Sequence, residues 1–165
     1  MPYDIEASTD GCYEGTTCLI NKLDIRDEEE LASVEAALTL ANIGLLEQEP
    51  LEGRFDFAHY RAIHKFLFGE LYDWAGEIRT VNLAKKGTQF VPANEIESVG
   101  RAIFERLAAM NFFCDGGFAA FIRHITEFYC DTNLLHPFRE GNGRTQRVFL
   151  AQLIRHGRRR ERRDL

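Results

Sequence analysis

The sequence predicts a mainly α-helical single domain over residues 1–165 that carries one β-hairpin flap. Three observations lead there. Apolar residues recur at helical spacing in five separate stretches; a single short stretch reads as a pair of strands; and no linker or internal repeat divides the chain. At 165 residues, 45% hydrophobic and 28% charged, the chain is long enough to bury a core without disulfide or metal support.

Each element has its own reason. Leu31, Val34, Leu38, Ala41 and Leu45 form one apolar stripe, and the acidic Asp27-Glu28-Glu29-Glu30 before it suits a helix N-terminus. A second helix starts at Asp56 as cap and runs through Phe57, Tyr60, Ile63, Leu67 and Leu71. A third starts at Asn94, which forms a capping-box pattern with Glu97, and buries Ile96, Val99, Ile103 and Leu107. The fourth carries Phe118, Phe121, Ile122, Ile125, Phe128 and Tyr129. The fifth begins near Gly143 and holds Val148, Phe149, Leu150, Leu153 and Ile154. Between the second and third helices, Ile78–Leu83 and Thr88–Val91 flank the glycine-containing loop 84–87 and predict a hairpin over about 78–91. On a helical body such a hairpin is an exposed flap, and its open edge can accept a peptide as an added strand.

The net charge of −6 argues against a general nucleic-acid binder. The charge is uneven, with six arginines concentrated in the basic end 155–165, which reads as a solvated terminus. No apolar run is long enough for a membrane span and the first residues are no signal peptide, so a cytoplasmic protein without a membrane partner is expected. Cys12, Cys18, Cys114 and Cys130 show no zinc spacing and read as free thiols, with Cys130 in a helix core. His59 and His64 are five apart, which does not put them on one helical face as a metal pair.

The densest run of reactive groups is His136-Pro-Phe-Arg-Glu-Gly-Asn-Gly-Arg-Thr-Gln-Arg147, between the fourth and fifth helices. Gly141 and Gly143 flank Asn142, a pattern that frees successive backbone N–H groups to point at one anion. The helix that follows adds its own unpaired N–H groups. Arg144 and Arg147, three apart, share a helical face and can both reach a polyphosphate. Glu140, an acid among anion binders, suits Mg²⁺ bridging phosphate oxygens, and His136 suits a general base. Singly these features read as a turn, solvated arginines and a helix cap; together in twelve residues they read as a site. The run is neither a dinucleotide fingerprint, because Gln146 holds the third-glycine position, nor a P-loop.

This run resembles the signature of Fic-domain proteins, HxFx(D/E)GNGRxxR, with every defining position filled. Phe55-Asp56, His59, Ile63-His64, Leu67-Phe68, Leu71–Gly76 and Arg79-Thr80 are similar to the helix that precedes the family's flap. Gly15-Thr16, Asn21-Lys22-Leu23 and Ile25-Arg26 resemble its N-terminal segment, so the likeness spans roughly residues 13–155. The resemblance implies a protein adenylyltransferase that moves AMP from ATP to a Ser, Thr or Tyr hydroxyl of a target protein. By position, His136 would be the base and Phe138 a buried anchor. Glu140 would hold Mg²⁺, and Gly141, Asn142, Gly143, Arg144 and Arg147 would hold the phosphates. Lys86 and Gly87 of the flap would lie near the nucleotide, and the flap would pin the target.

Other family chemistries, with UMP or phosphocholine donors, and a degenerate binding module stay open; Gly143 argues against the branch of kinases that has lysine there. The family's inhibitory pattern (S/T)xxxE(G/N) does not occur; Glu14-Gly15 comes closest, with Asp10 where Ser or Thr is required. The resemblance therefore implies inhibition by a separate antitoxin chain, as in the toxin–antitoxin branch. Family members also continue with further helices, where this chain has the basic run 158–165.

Overall fold

The computed structural model describes residues 11–85 and 87–161, the last four of these by backbone alone. Lys86 and much of the basic end therefore lie outside the described residues. Five helices follow in order: α1 (Glu28–Gln48), α2 (Phe57–Phe68), α3 (Ile96–Ala109), α4 (Gly117–Leu135) and α5 (Asn142–Glu161). Between α2 and α3 lies a two-stranded antiparallel hairpin, β1 (Ala84–Lys85) and β2 (Thr88–Gln89). Helix α2 packs against α1 and α5, and α4 packs against α3 and α5.

The core is aromatic. Phe149 of α5 lies 5.4 Å from the rings of Tyr60 and Phe104 and 5.8 Å from Phe128, and all four are almost fully buried. These residues come from α2, α3, α4 and α5, so each helix commits one face to a shared cluster. The predicted caps of the first two helices form: Asp27 accepts from the Glu30 N–H at 2.9 Å and Asp56 from the His59 N–H at 2.8 Å.

Four expectations need correction. Of its Leu31/Val34/Leu38/Ala41/Leu45 stripe, helix α1 buries Leu31, half-buries Val34 and Leu38, and leaves Ala41 and the 54% exposed Leu45 outward; its fully buried face is Leu31, Glu35, Thr39, Asn42 and Leu46. The rotation follows from polar partners on the other helices, described below. Helix α4 points Phe118, Ile122 and Tyr129 outward and buries Phe128, Thr132 and Leu135, and Cys130 is exposed. There Gln146 of α5 donates to the Tyr129 carbonyl and the Thr132 hydroxyl, both at 2.7 Å, which fixes the helix face.

The Asn94–Glu97 capping box does not form. The chain enters α3 through a 3₁₀ turn at Ala93–Glu95, and Glu97 pairs instead with Arg101 at 3.1 Å and Arg61 at 3.8 Å. The hairpin is shorter and placed further along than predicted. Its ladder pairs Ala84 with Gln89 and Lys85 with Thr88: β2 lies within the predicted second strand, whereas β1 falls on residues the sequence suggests are loop. Residues 78–83 bend at Thr80 and Val81 and form no strand: the Arg79 N–H goes to Pro137, the Val81 carbonyl takes the Arg79 guanidinium, and the Leu83 carbonyl faces the other limb, accepting the Phe90 N–H at 3.1 Å.

Candidate active site

His136 ends helix α4 as its C-cap, in the left-handed conformation with φ 42° and ψ 60°. Its N–H donates to the Thr132 carbonyl at 3.2 Å. The imidazole is buried, stacked on Phe90 with centroids 3.8 Å apart, and its Nδ1 lies 3.1 Å from the Asn133 carbonyl. A carbonyl can only accept, so Nδ1 carries the proton and the lone pair of the neutral ring sits on Nε2. Burial pulls the imidazole's pKa down to about 4, reinforced by Arg79 and Lys85 and opposed by the Asn133 carbonyl. At neutral pH the ring is an uncharged proton acceptor.

Beyond His136 the chain turns back on itself. Asn142 accepts the Phe138 N–H at 2.9 Å and donates to the Phe138 carbonyl at 2.7 Å, so one amide side chain closes the loop. Phe138 is fully buried between His64, 3.8 Å away by ring centroid, and Tyr60. Gly141 has φ +77°, and a Cβ there would lie 2.3 Å from Phe68, so both backbone and space require glycine. Gly143 is different: it lies within the first turn of α5, where a Cβ would meet only the Arg147 guanidinium at 3.4 Å. Of the two glycines, only Gly141 uses a conformation closed to other residues.

Helix α5 starts at Asn142, so the first-turn N–H groups open where the loop ends, the arrangement that favours an anion. Arg144 packs over Phe68 and pairs with Glu35 of α1, with the Thr39 hydroxyl at 3.3 Å and Glu140 at 3.6 Å. Glu35 takes the Tyr72 hydroxyl on its other oxygen. Arg147 is exposed and, among the described residues, has no carboxylate partner. A cavity of about 170 Å³ between α1 and α5 opens beside both arginines and is walled by Ile43, Leu46 and Glu47. A larger cavity of about 690 Å³ lies around Pro50–Phe55 and His156, at the far end of α5, away from this chemistry.

The structure thus brings His136, Glu140, Gly141, Asn142, Gly143, Arg144 and Arg147 to one end of α4 and α5. Gly87 is exposed in the hairpin turn with φ +77°. No group of three potential metal ligands occurs among the described residues. Glu140 still fits Mg²⁺, which needs only one or two carboxylates when phosphates and water complete its shell: its carboxylate is a third exposed and stands beside the anion-binding turn.

Sequence reasoning misses three supporting residues. Glu35 and Thr39 hold Arg144; with Asn42 they mark a polar line at helical spacing along α1, which was the available signal. His64 is buried and neutral, its pKa lowered to about 4 by burial, and it donates to the Glu140 carbonyl while accepting the Gly76 N–H. It is a brace, and it shares no site with His59, whose ring bonds to Leu51.

A helical domain that presents a neutral buried histidine beside a helix N-terminus and two arginines belongs among enzymes that attack a phosphate chain. Its family can be stated. The Fic/DOC family pattern matches residues 54–154, and the chain belongs to that family. It is 38% identical over 147 residues to a protein of Sinorhizobium fredii named probable protein adenylyltransferase, covering 88% of this chain and 74% of that one. A protein of Escherichia coli with the same description is 33% identical over 144 residues, covering 87% and 71%. Among solved structures, a VirB-translocated effector of Bartonella tribocorum with bound AMPPNP superimposes with a TM-score of 0.82 at 26% identity, covering 90% of this chain and 78% of that one.

Proposed function

We propose that this chain is a protein adenylyltransferase that transfers AMP from ATP to a hydroxyl group of a target protein. The observation that carries the reading is the placement of a neutral imidazole, with its lone pair on Nε2, at the mouth of an anion-binding turn. Nε2 of His136 takes the hydroxyl proton as the hydroxyl oxygen attacks the α-phosphorus. The new P–O bond forms, the bond from the α-phosphorus to the bridging oxygen breaks, and pyrophosphate leaves. Gly141 shapes the phosphate-binding turn, its own N–H donating to the Glu140 carboxylate at 2.8 Å, while Asn142 and Gly143 offer backbone N–H groups to the phosphates and Arg144 and Arg147 contribute charge. Glu140 would hold Mg²⁺, which supplies charge neutralisation to the phosphate chain when bound. Lys86 and Gly87 would take part in nucleotide binding, and the hairpin edge would dock the target strand.

The reading extends to regulation. The exposed, carboxylate-free Arg147 beside the α1–α5 cavity suits an acidic helix from a separate antitoxin chain, whose carboxylate would occupy the γ-phosphate position. No helix among the described residues is long and apolar enough to cross a membrane.

The test is incubation with α-labelled ATP, Mg²⁺ and cell lysate. Wild-type protein labels a discrete band. His136→Ala lowers labelling by about 10²–10⁴-fold while ATP affinity, measured by titration calorimetry, stays unchanged. A mutant that labels at the wild-type rate removes His136 from the role of base.

A further inference from the structure

Arg79 is only 4% exposed, yet among the described residues its guanidinium faces no carboxylate. Every hydrogen bond it makes goes to a main-chain carbonyl. Nε donates to His136 at 2.8 Å, one terminal nitrogen to Val81 at 2.5 Å, and the other to Val91 at 2.6 Å. The backbone joins the same junction: the Arg79 N–H donates to the Pro137 carbonyl at 2.9 Å, and the Val91 N–H to the Leu134 carbonyl at 3.1 Å. A buried cation is costly to desolvate and needs several good acceptors to remain charged. Here three carbonyls from three separate segments supply them.

The three segments are the two limbs of the hairpin and the catalytic turn. Val81 precedes β1, Val91 follows β2, and His136 opens the loop that holds the phosphate chemistry. Phe90, next to Val91, stacks flat on the His136 imidazole, with 10° between the planes. The carbonyl of His136 is thus fixed by the cation that gathers the hairpin limbs, and its ring is fixed by a residue of one of those limbs.

We propose that Arg79 is a positioning residue whose single guanidinium locks the base of the hairpin to His136, so that a strand docked on the hairpin edge arrives in a fixed relation to the imidazole. This rests on reading the hairpin as the docking edge and His136 as the base. Arginine suits the task because its planar fork serves diverging acceptors at once, which a lysine ammonium on one stem does not. Burial lowers the Arg79 pKa to about 10, which leaves it charged at neutral pH.

Arg79→Gln and Arg79→Lys test the coupling through three readouts. The first is amide exchange at Phe90 and Val91, followed by NMR. The second is the titration of the His136 ring, whose charged neighbours among the described residues are Arg79 and Lys85. The third is the lysate concentration that half-saturates labelling from α-labelled ATP. In Arg79→Gln, both amides exchange about tenfold faster or more. The ring's pKa rises toward its ordinary value, half-saturation shifts to higher lysate, and ATP affinity holds within about twofold because the phosphate-binding turn is untouched. Arg79→Lys lies between the two, and it carries the test if the glutamine variant does not fold. A purely structural role predicts another pattern: amide exchange and ring titration unchanged in the folded protein, with labelling falling only in step with the folded fraction. That result overturns the proposal. Absence of labelling by the wild type sinks the functional reading instead, and the two NMR readouts still decide the coupling.

Discussion

Between Phe138 and Thr145 the catalytic loop is bonded to itself: Asn142 clamps Phe138 from both sides, and both the backbone N–H and the hydroxyl of Thr145 donate to the Gly141 carbonyl at 3.1 Å. The hairpin of Ala84–Gln89 has a ladder of two residue pairs, and its second strand is exposed. One region is closed by several bonds of its own; the other rests on a short two-pair ladder with an exposed second strand. The contrast matches the tasks proposed for them. Phosphate chemistry needs donors placed to within fractions of an ångström, whereas strand addition draws affinity from main-chain bonds and tolerates varied sequences.

Glycine substitutions separate the regions most sharply. Gly141 and Gly87 share φ +77°, but a Cβ at Gly141 meets Phe68 whereas one at Gly87 meets nothing within 4 Å. Gly141→Ala should abolish transfer and destabilise the fold by about 3–5 kcal/mol, combining a left-handed penalty with overpacking; thermal unfolding and labelling assays check it. A next, smaller effect is expected at Glu35. Glu35→Ala should cost about 3 kcal/mol, because it leaves the Tyr72 hydroxyl and the Arg144 guanidinium without their shared carboxylate. Calorimetric ATP titration should show weaker binding as Arg144 loses its anchor, and unchanged affinity would remove Glu35 from the site.

The acid side of the stability curve follows. His64 and His136 are both held near pKa 4 by burial, against an ordinary value of 6.5. Between those values the unfolded chain binds protons that the folded chain does not, so stability falls as pH drops from about 6.5 toward 4. The slope approaches about 1.4 kcal/mol per pH unit for each histidine. A melting temperature that stays level over this range contradicts the assigned burial. The smallest effect belongs to the hairpin tip: Gly87→Ala should cost about 1 kcal/mol or less locally, leave the melting temperature unchanged, and weaken target labelling modestly.

The helices and the catalytic run are legible in the sequence because they rest on local rules: apolar spacing, the Asp27 and Asp56 caps, and one contiguous stretch from His136 to Arg147. The faces of α1 and α4 are not. On α1 the apolar positions compete with Glu35, Thr39 and Asn42, and the winner is chosen by Arg144, Tyr72 and the carbonyls of Phe66 and Leu67, all distant in sequence. The hairpin bounds fail for a related reason. Residues 79–81 have strand-like composition, but their bonds go to Pro137 and to the Arg79 guanidinium, which no spacing rule anticipates.

The central claim, that the fixed loop directs a hydroxyl onto the α-phosphorus, is tested most directly by the position of the label. Protein incubated with Mg²⁺ and lysate should label a target from α-labelled ATP, and γ-labelled ATP should release its label as pyrophosphate, with none on protein beyond what lysate alone incorporates. Label from γ-labelled ATP that appears on a target only when this protein is added and is lost with His136→Ala would mean attack at the terminal phosphorus and would contradict the account.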